Sequence, residues 1–302
     1  MIRVQKEIEC LGSTALITIV QDKDSHNAQH VISEIIIMIE KFENSFSRFK
    51  EDSELINFNK NAGQKMTISE EFINILKKCK QLSKDSNLAF NPFILPTLQK
   101  VGYNRSWKNS EIVSDQFEEA NFAEVDHIEI GTDWAKIPVN TAIDLGGIGK
   151  GYMLDKISDF MKIKNIENYW ISLGGDLICN GVDVNNEPWN VSIADALNDN
   201  CVVDSISTNP NGITAIATSS TVRRKGFSNN KAWNHIINPK TLEPINSKIL
   251  SATVIAGSGI IADVMAKSII INGEDFALKI KNDGKIKGFI LQNNDKSIRI
   301  ER

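Results

Sequence analysis

Asp263 and Lys267 are the residues of this chain whose types and spacing speak most directly of chemistry. They lie in Ser251–Gly273 (SATVIAGSGIIADVMAKSIIING), where a hydrophobic strand passes through a Ser-Gly turn into a helix. Four residues apart, they share one helical face near the helix N-terminus. An aspartate there suits a hard cation with oxygen ligands. A lysine one turn later is only a donor and cannot ligate a metal while charged. A second constellation is Asp144–Tyr152 (DLGGIGKGY), with Gly146, Gly147, Gly149 and Gly151 between a strand and a helix. Glycines let the backbone approach a ligand closely, and the free N–H groups of a helix N-terminus suit a pyrophosphate. Lys150 adds a point charge. The spacing is neither a Walker loop nor GxGxxG in a βαβ unit, and taken alone the block reads first as a structural glycine turn and second as a phosphate site. Leu173-Gly174-Gly175-Asp176 reads first as a tight turn at a strand end. Ser219 with His235 invites a nucleophile–base reading. No GxSxG elbow surrounds the serine, and His235 alone is compatible with a structural role.

The elements that must position these groups follow from periodicity. Residues 3–20 read as one strand, and His26–Ser45 as an amphipathic helix with Val31, Ile35, Met38, Ile39 and Phe42 at helical spacing. A helix over Ser69–Ser86 opens on Ser69 followed by Glu70 and Glu71. Residues 87–110 read as a loop, and 127–145 as short strands ending in Ala142-Ile143-Asp144-Leu145. Helices are predicted over Tyr152–Met161 and Ala262–Ile271. Strands are predicted over Tyr169–Leu173, Leu177–Asn180, Trp189–Ile193, Val202–Ser207, Gly212–Thr218, Leu250–Ala256 and Lys287–Gln292. Strands dominate the second half without regular alternation with helices, so the fold class is α+β rather than doubly wound. No Pro/Ser linker and no short repeat divides residues 1–302, which read as one domain.

Composition narrows the partners. The 302 residues carry a net charge of −4, which argues against nucleic acid, whose binders show a basic excess. No apolar run approaches the ~20 residues of a membrane span. The start, MIRVQKEIECLGSTALITIV, lacks the pattern of a signal peptide, so the chain reads as cytoplasmic as written. A leader already removed would instead place it in the periplasm or at a membrane. Cys10, Cys79, Cys179 and Cys201 form no CxxC pair and read as free thiols. His26 and His30 share a helix face but lack a third metal ligand.

In their order along the chain, these blocks resemble the ApbE-type FAD:protein FMN transferases. The resemblance runs from Leu11-Gly12-Ser13 to Gly273. It rests on Phe46–Asn59 (FSRFKEDSELINFN), Ala89-Phe90-Asn91-Pro92, Asp144–Asp155 (DLGGIGKGYMLD), Leu173–Asp176, His235–Pro239 and Ala262-Asp263. It implies two similar α+β halves, a T-fold-like duplication, with the ligand cleft between them. It implies cleavage of FAD with Mg²⁺ and transfer of FMN, through a phosphoester bond, to a threonine of an acceptor protein. Carried onto this sequence, FAD contacts would come from Leu11, Phe49, Ala89, Phe90, Asn91, Lys150 and Ile236. The metal would sit between the Gly147 backbone oxygen and Asp263, and His235 would act as base near the phosphates. Asp263 and Lys267 would occupy the family's metal-binding Asp…Thr pair.

Four positions break the family pattern. Lys267 replaces the metal-binding threonine, Asn91 and Asn238 replace aspartates, and Leu242 replaces a glycine after Lys240-Thr241. The block after Thr218-Ser219 also lacks the usual Gly-Asp-Tyr and reads Ser220-Thr221-Val222. Repulsion between an ammonium and a divalent ion at ~4 Å is about 8 kcal/mol at an effective dielectric near 20, an upper-end figure. Lys267 would pair with Asp263 and take the place of the ion, or snorkel outward and leave the metal in place. Three readings stay open: a slowed FMN transferase, a non-catalytic FAD-binding relative, and an FAD pyrophosphatase.

Overall fold

The computed structural model describes residues 1–22, 27–103, 117, 119–228, 231–294 and 297–301. An antiparallel sheet of eight strands carries the fold, and only its strands are numbered here: β1 (Ile2–Cys10), β2 (Ser13–Gln21), β3 (Asn168–Leu173), β4 (Asp176–Asn180), β5 (Thr214–Ser220), β6 (Ser251–Ala256), β7 (Gly288–Gln292) and β8 (Ser297–Glu301). They lie side by side in chain order, every neighbour antiparallel. The helices are α1 (Ala28–Phe46), α2 (Glu54–Lys60), α3 (Glu70–Asp85), α4 (Leu95–Lys100), α5 (Gly149–Ile163), α6 (Gly259–Asn272) and α7 (Glu274–Asn282). Each half thus reads strand, strand, helices, strand, strand. The α+β class read from the sequence is the class observed, with both halves sharing one sheet. Their seam, β4 against β5, is only three residue pairs long, whereas β1 and β2 share nine.

The main core lies between this sheet and the helices on one face. Helix α1 forms because Val31, Ile32, Ile35, Ile39, Phe42 and Phe46 recur on one side and are buried there. Helix α6 is apolar nearly all round because it is buried nearly all round. The opposite face of the sheet is covered by a hairpin, Asn190–Ala194 with Val202–Ser207. It sets Val191, Ile193 and Ile206 against Leu177, Ile216, Ile255 and Ile290. Strands β6 and β7 are therefore buried on both sides, which is why they read as unbroken apolar runs. Among the described residues no helix is long and apolar enough to cross a membrane. The four cysteines are free thiols, three of them buried.

Several sequence expectations are corrected. Residues 3–20 are two strands, because Leu11 (φ 50°) and Gly12 (φ 64°) form a two-residue turn that returns the chain on itself. Positive φ at both central positions is the type I′ pattern, and a leucine there gives little warning in sequence. The expected loop 87–110 holds a 3₁₀ turn, Pro92–Ile94, and α4, while 104–110 fall outside the described residues. His26, the expected start of α1, also lies outside them, and α1 is described from Ala28. Residues 142–145 join no strand: the Asn59 side chain both accepts from Ile143 N–H and donates to its carbonyl, each at 2.9 Å, in place of a neighbouring strand. Helix α5 begins three residues before the predicted Tyr152, at Gly149. The Ser69 cap is observed, its hydroxyl accepting from Phe72 N–H at 3.2 Å.

Candidate functional site

The two glycine-bearing helix starts meet. A Cβ added at Gly151 would stand 2.5 Å from the Gly259 carbonyl oxygen, and one at Gly259 would stand 2.8 Å from the Gly151 oxygen. Only glycine allows this approach of α5 and α6. The helices then cap each other. Asp263 Oδ2 on α6 accepts from Gly151 N–H at 3.1 Å. Asp155 on α5 accepts from Ser258 Oγ (2.6 Å), Gly259 N–H (2.5 Å) and Ile260 N–H (3.1 Å) at the start of α6. Each carboxylate satisfies orphan donors and faces a positive dipole end.

On the Asp263 side this junction opens into a cleft lined from both halves of the chain. Leu11, Phe49, Ala89, Phe90, Asn91, Gly147, Lys150, His235, Ile236 and Lys267 all line it. The remaining sequence candidate, Asp263, is only 2% exposed and lies beneath Lys267. The strained turn brings Leu11 to the rim, where its N–H donates to Glu43 Oε1 at 3.0 Å. Phe49 and Phe90 supply aromatic wall. Asn91 is held by both ends of its amide: Oδ1 accepts from Phe93 N–H (2.9 Å) and Nδ2 donates to the Ala123 carbonyl (3.1 Å). An aspartate could not make the second bond, so this departure has a structural use. The departure at Leu242 carries strain instead: its φ is +57°, the left-handed conformation that favours the family's glycine. Asn238 organises the same turn, its Oδ1 accepting from Lys240 N–H at 3.0 Å.

The electrostatics of the cleft are cationic groups resting on buried carboxylates. Lys150 Nζ is ion-paired to Asp176 of the Leu173–Asp176 turn. Asp176 Oδ1 also accepts from Thr218 N–H at 3.1 Å. Burial works to lower the Lys150 pKa, but Asp176 and Asp263 outweigh it and hold the value above the ordinary lysine range. His235 is half-buried, and its Nδ1 has no partner. Desolvation first, then Arg224, Lys267 and Lys150, pushes its pKa down to about 3, so the ring is neutral at pH 7. Ser219 is buried in β5 outside the cleft lining, so no Ser219–His235 dyad forms there. Arg48, Tyr103 and Arg224 were not picked out as cleft residues by sequence. The Arg48 guanidinium lies over the Phe49 ring (4.6 Å) and the Tyr103 ring (4.7 Å) and donates to the Tyr103 carbonyl at 3.0 Å. Its position in Phe46-Ser47-Arg48-Phe49 was the available signal: an arginine next to an aromatic at a helix end.

The expected metal position is filled by protein. Lys267 Nζ donates to Asp263 Oδ1 and, at 3.1 Å, to the Asp263 carbonyl oxygen. With Oδ2 accepting from Gly151 N–H, the Asp263 carboxylate already carries a cation and a backbone donor, and the ammonium repels a second positive ion. A group of three or more His, Cys, Asp or Glu side chains that could hold a metal is absent among the described residues. These residues do not fit a divalent ion. The snorkelling alternative for Lys267 is also not what is observed.

A family model described as the ApbE family matches residues 11–290. The chain belongs to the ApbE family. The match begins at the cleft residue Leu11 and ends inside β7, so it includes every part of the cleft. An FAD:protein FMN transferase of Vibrio cholerae is 25% identical over 289 residues, covering 94% of this chain and 86% of the relative. One from Haemophilus influenzae is 26% identical over 273 residues, covering 87% and 78%. The solved ApbE protein of Thermotoga maritima superposes with a TM-score of 0.83 at 22% identity, over 98% of this chain and 96% of the other. The flavin transferase ApbE of Vibrio cholerae superposes with a TM-score of 0.80 at 23% identity, over 99% and 96%. The ApbE fold is thus present along the whole described length.

Proposed function

We propose that this chain, acting as one domain, is an FAD:protein FMN transferase that binds FAD in the cleft and passes FMN to a threonine hydroxyl of an acceptor protein. One observation carries the reading. Ten residues scattered from position 11 to position 267 line a single cleft with aromatic walls, cationic groups and an unpartnered imidazole nitrogen. Phe49, Phe90, Leu11 and Ile236 suit a flavin ring, and Lys150, Arg224 and Lys267 suit a diphosphate.

In the transfer, the acceptor oxygen forms a bond to the FMN phosphorus while the bond from that phosphorus to the bridging oxygen breaks, and AMP leaves. The hydroxyl proton passes to neutral His235. A pKa near 3 makes a weak base, but the negative charge of a bound diphosphate moves that value upward, toward the range where proton transfer is efficient. The cations stabilise charge developing on the phosphoryl oxygens.

The test is incubation of the purified protein with FAD and a threonine-bearing acceptor peptide, followed by mass spectrometry. Flavinylated peptide plus AMP supports the proposal. Free FMN plus AMP makes water the acceptor. Bound, intact FAD supports a second reading, favoured by the Asp263–Lys267 pairing: a binding protein without transfer. Failure to bind FAD at all overturns both.

A further inference from the structure

We infer that Lys267 is a built-in cation of this protein, so that the diphosphate of FAD is held without a divalent metal ion. The inference rests on the FAD reading given above. Three observations support it. Lys267 Nζ donates to one carboxylate oxygen and to the carbonyl oxygen of Asp263, and Gly151 N–H donates to the other carboxylate oxygen, so a cation already stands on this carboxylate. The Lys267 side chain runs past the glycine loop: a Cβ added at Gly147 would lie 3.9 Å from Lys267 Cε. It therefore lies between the two positions, Gly147 and Asp263, that would have shared the ion. Finally, Lys267 lines the cleft, and its side chain remains 20% exposed. An ammonium has three protons; two are committed to Asp263, and the third is available to a phosphate oxygen.

The exchange has a chemical consequence. Asp263 with Lys267 is neutral as a pair, whereas Asp263 with a divalent ion would carry a net positive charge. An ammonium also imposes no octahedral geometry on the phosphates. Ground-state binding of the diphosphate survives this change better than stabilisation of a transition state in which charge is redistributed. The protein is therefore an FAD binder indifferent to chelation, and its transfer is slower than a metal-loaded site would allow.

Two measurements test this, one with FAD and one without. Manganese titration followed by electron paramagnetic resonance should find no stoichiometric Mn²⁺ site in the unaltered protein, and one in Lys267→Thr. A tight one-to-one Mn²⁺ site in the unaltered protein overturns the inference whether or not FAD binds. In FAD titrations followed by flavin fluorescence, the dissociation constant should agree within about twofold in EDTA and in Mg²⁺. Lys267→Met should weaken binding about tenfold or more in both, as expected for loss of a charge-assisted hydrogen bond, and Lys267→Arg should restore much of it. FAD binding that appears only with Mg²⁺ overturns the inference and leaves the FAD reading intact. Absence of FAD binding under both conditions overturns the FAD reading, and the Mn²⁺ result then stands alone on Lys267. The decisive readings come from the unaltered protein, so a poorly folded variant does not blunt them.

Discussion

The two sides of the α5–α6 crossing are built alike and behave differently. On one side stand Gly259 and Asp155, on the other Gly151 and Asp263; in each, a backbone N–H of one helix start is met by a carboxylate of the other helix. Within each helix the glycine precedes its aspartate by four residues. The next position at that spacing is where they part: Asp159 follows Asp155, and Lys267 follows Asp263. Asp155 takes three donors, yet burial, with Asp159 adding to it, holds its pKa above the ordinary carboxylate value. Asp263 takes one backbone donor and an ammonium, and it underlies the cleft. The same helix-capping device is thus a closed structural knot on one side and a seat for a cation on the other. One residue, a turn further along, decides which.

The largest expected effect breaks that symmetry. Asp263→Asn leaves Lys267 without its counter-ion, and urea unfolding at pH 7 should show a loss of about 3 kcal/mol. Asp155→Asn removes a charge that its surroundings already disfavour and should cost only about 1 kcal/mol. Equal losses would mean that Asp263 is no more than a cap. The glycines give the symmetric counterpart. Gly151→Ala and Gly259→Ala should each cost about 1–3 kcal/mol through overpacking at the crossing. Gly151 should be the worse of the two, since its added Cβ meets backbone at the shorter distance.

Among the described residues, only the cleft side holds a suppressed histidine. The folded pKa of His235, about 3, lies below the ordinary value of 6.5, so within that window the unfolded chain binds more protons. Stability should be complete above pH 6.5 and fall as pH drops toward 3. His235→Gln should flatten that slope in a series of urea titrations. The smallest effect is a control remote from the crossing. Leu242→Gly relieves a left-handed leucine and should stabilise by about 0.5 kcal/mol, read as a small rise in Tm.

Much of this was legible in the chain. Helix α1 announced itself through Val31, Ile35, Ile39 and Phe42, and α3 through its Ser69 cap, because periodicity and capping are local signals. The cleft was legible through ordered blocks, which brought Leu11, Phe90, Lys150, His235 and Lys267 to one place. The turn at Leu11 was missed because its positive φ is held from outside, by the Glu43 contact and the paired strands. Asn59 was missed for a related reason: it replaces a strand partner for Ile143, 84 residues away, and no local pattern encodes that. The role of Asp155 was likewise hidden, since its donors lie more than 100 residues further along the chain.

The short β4–β5 seam has a mechanical consequence. Three ladder pairs there, backed by the glycine crossing of α5 and α6, are what the sheet offers against prying the halves apart. Neighbouring ladders are longer, so any breathing that admits a bulky dinucleotide should strain this joint first. The amide protons that donate across this ladder then become a gauge of how widely the molecule yawns before it fills.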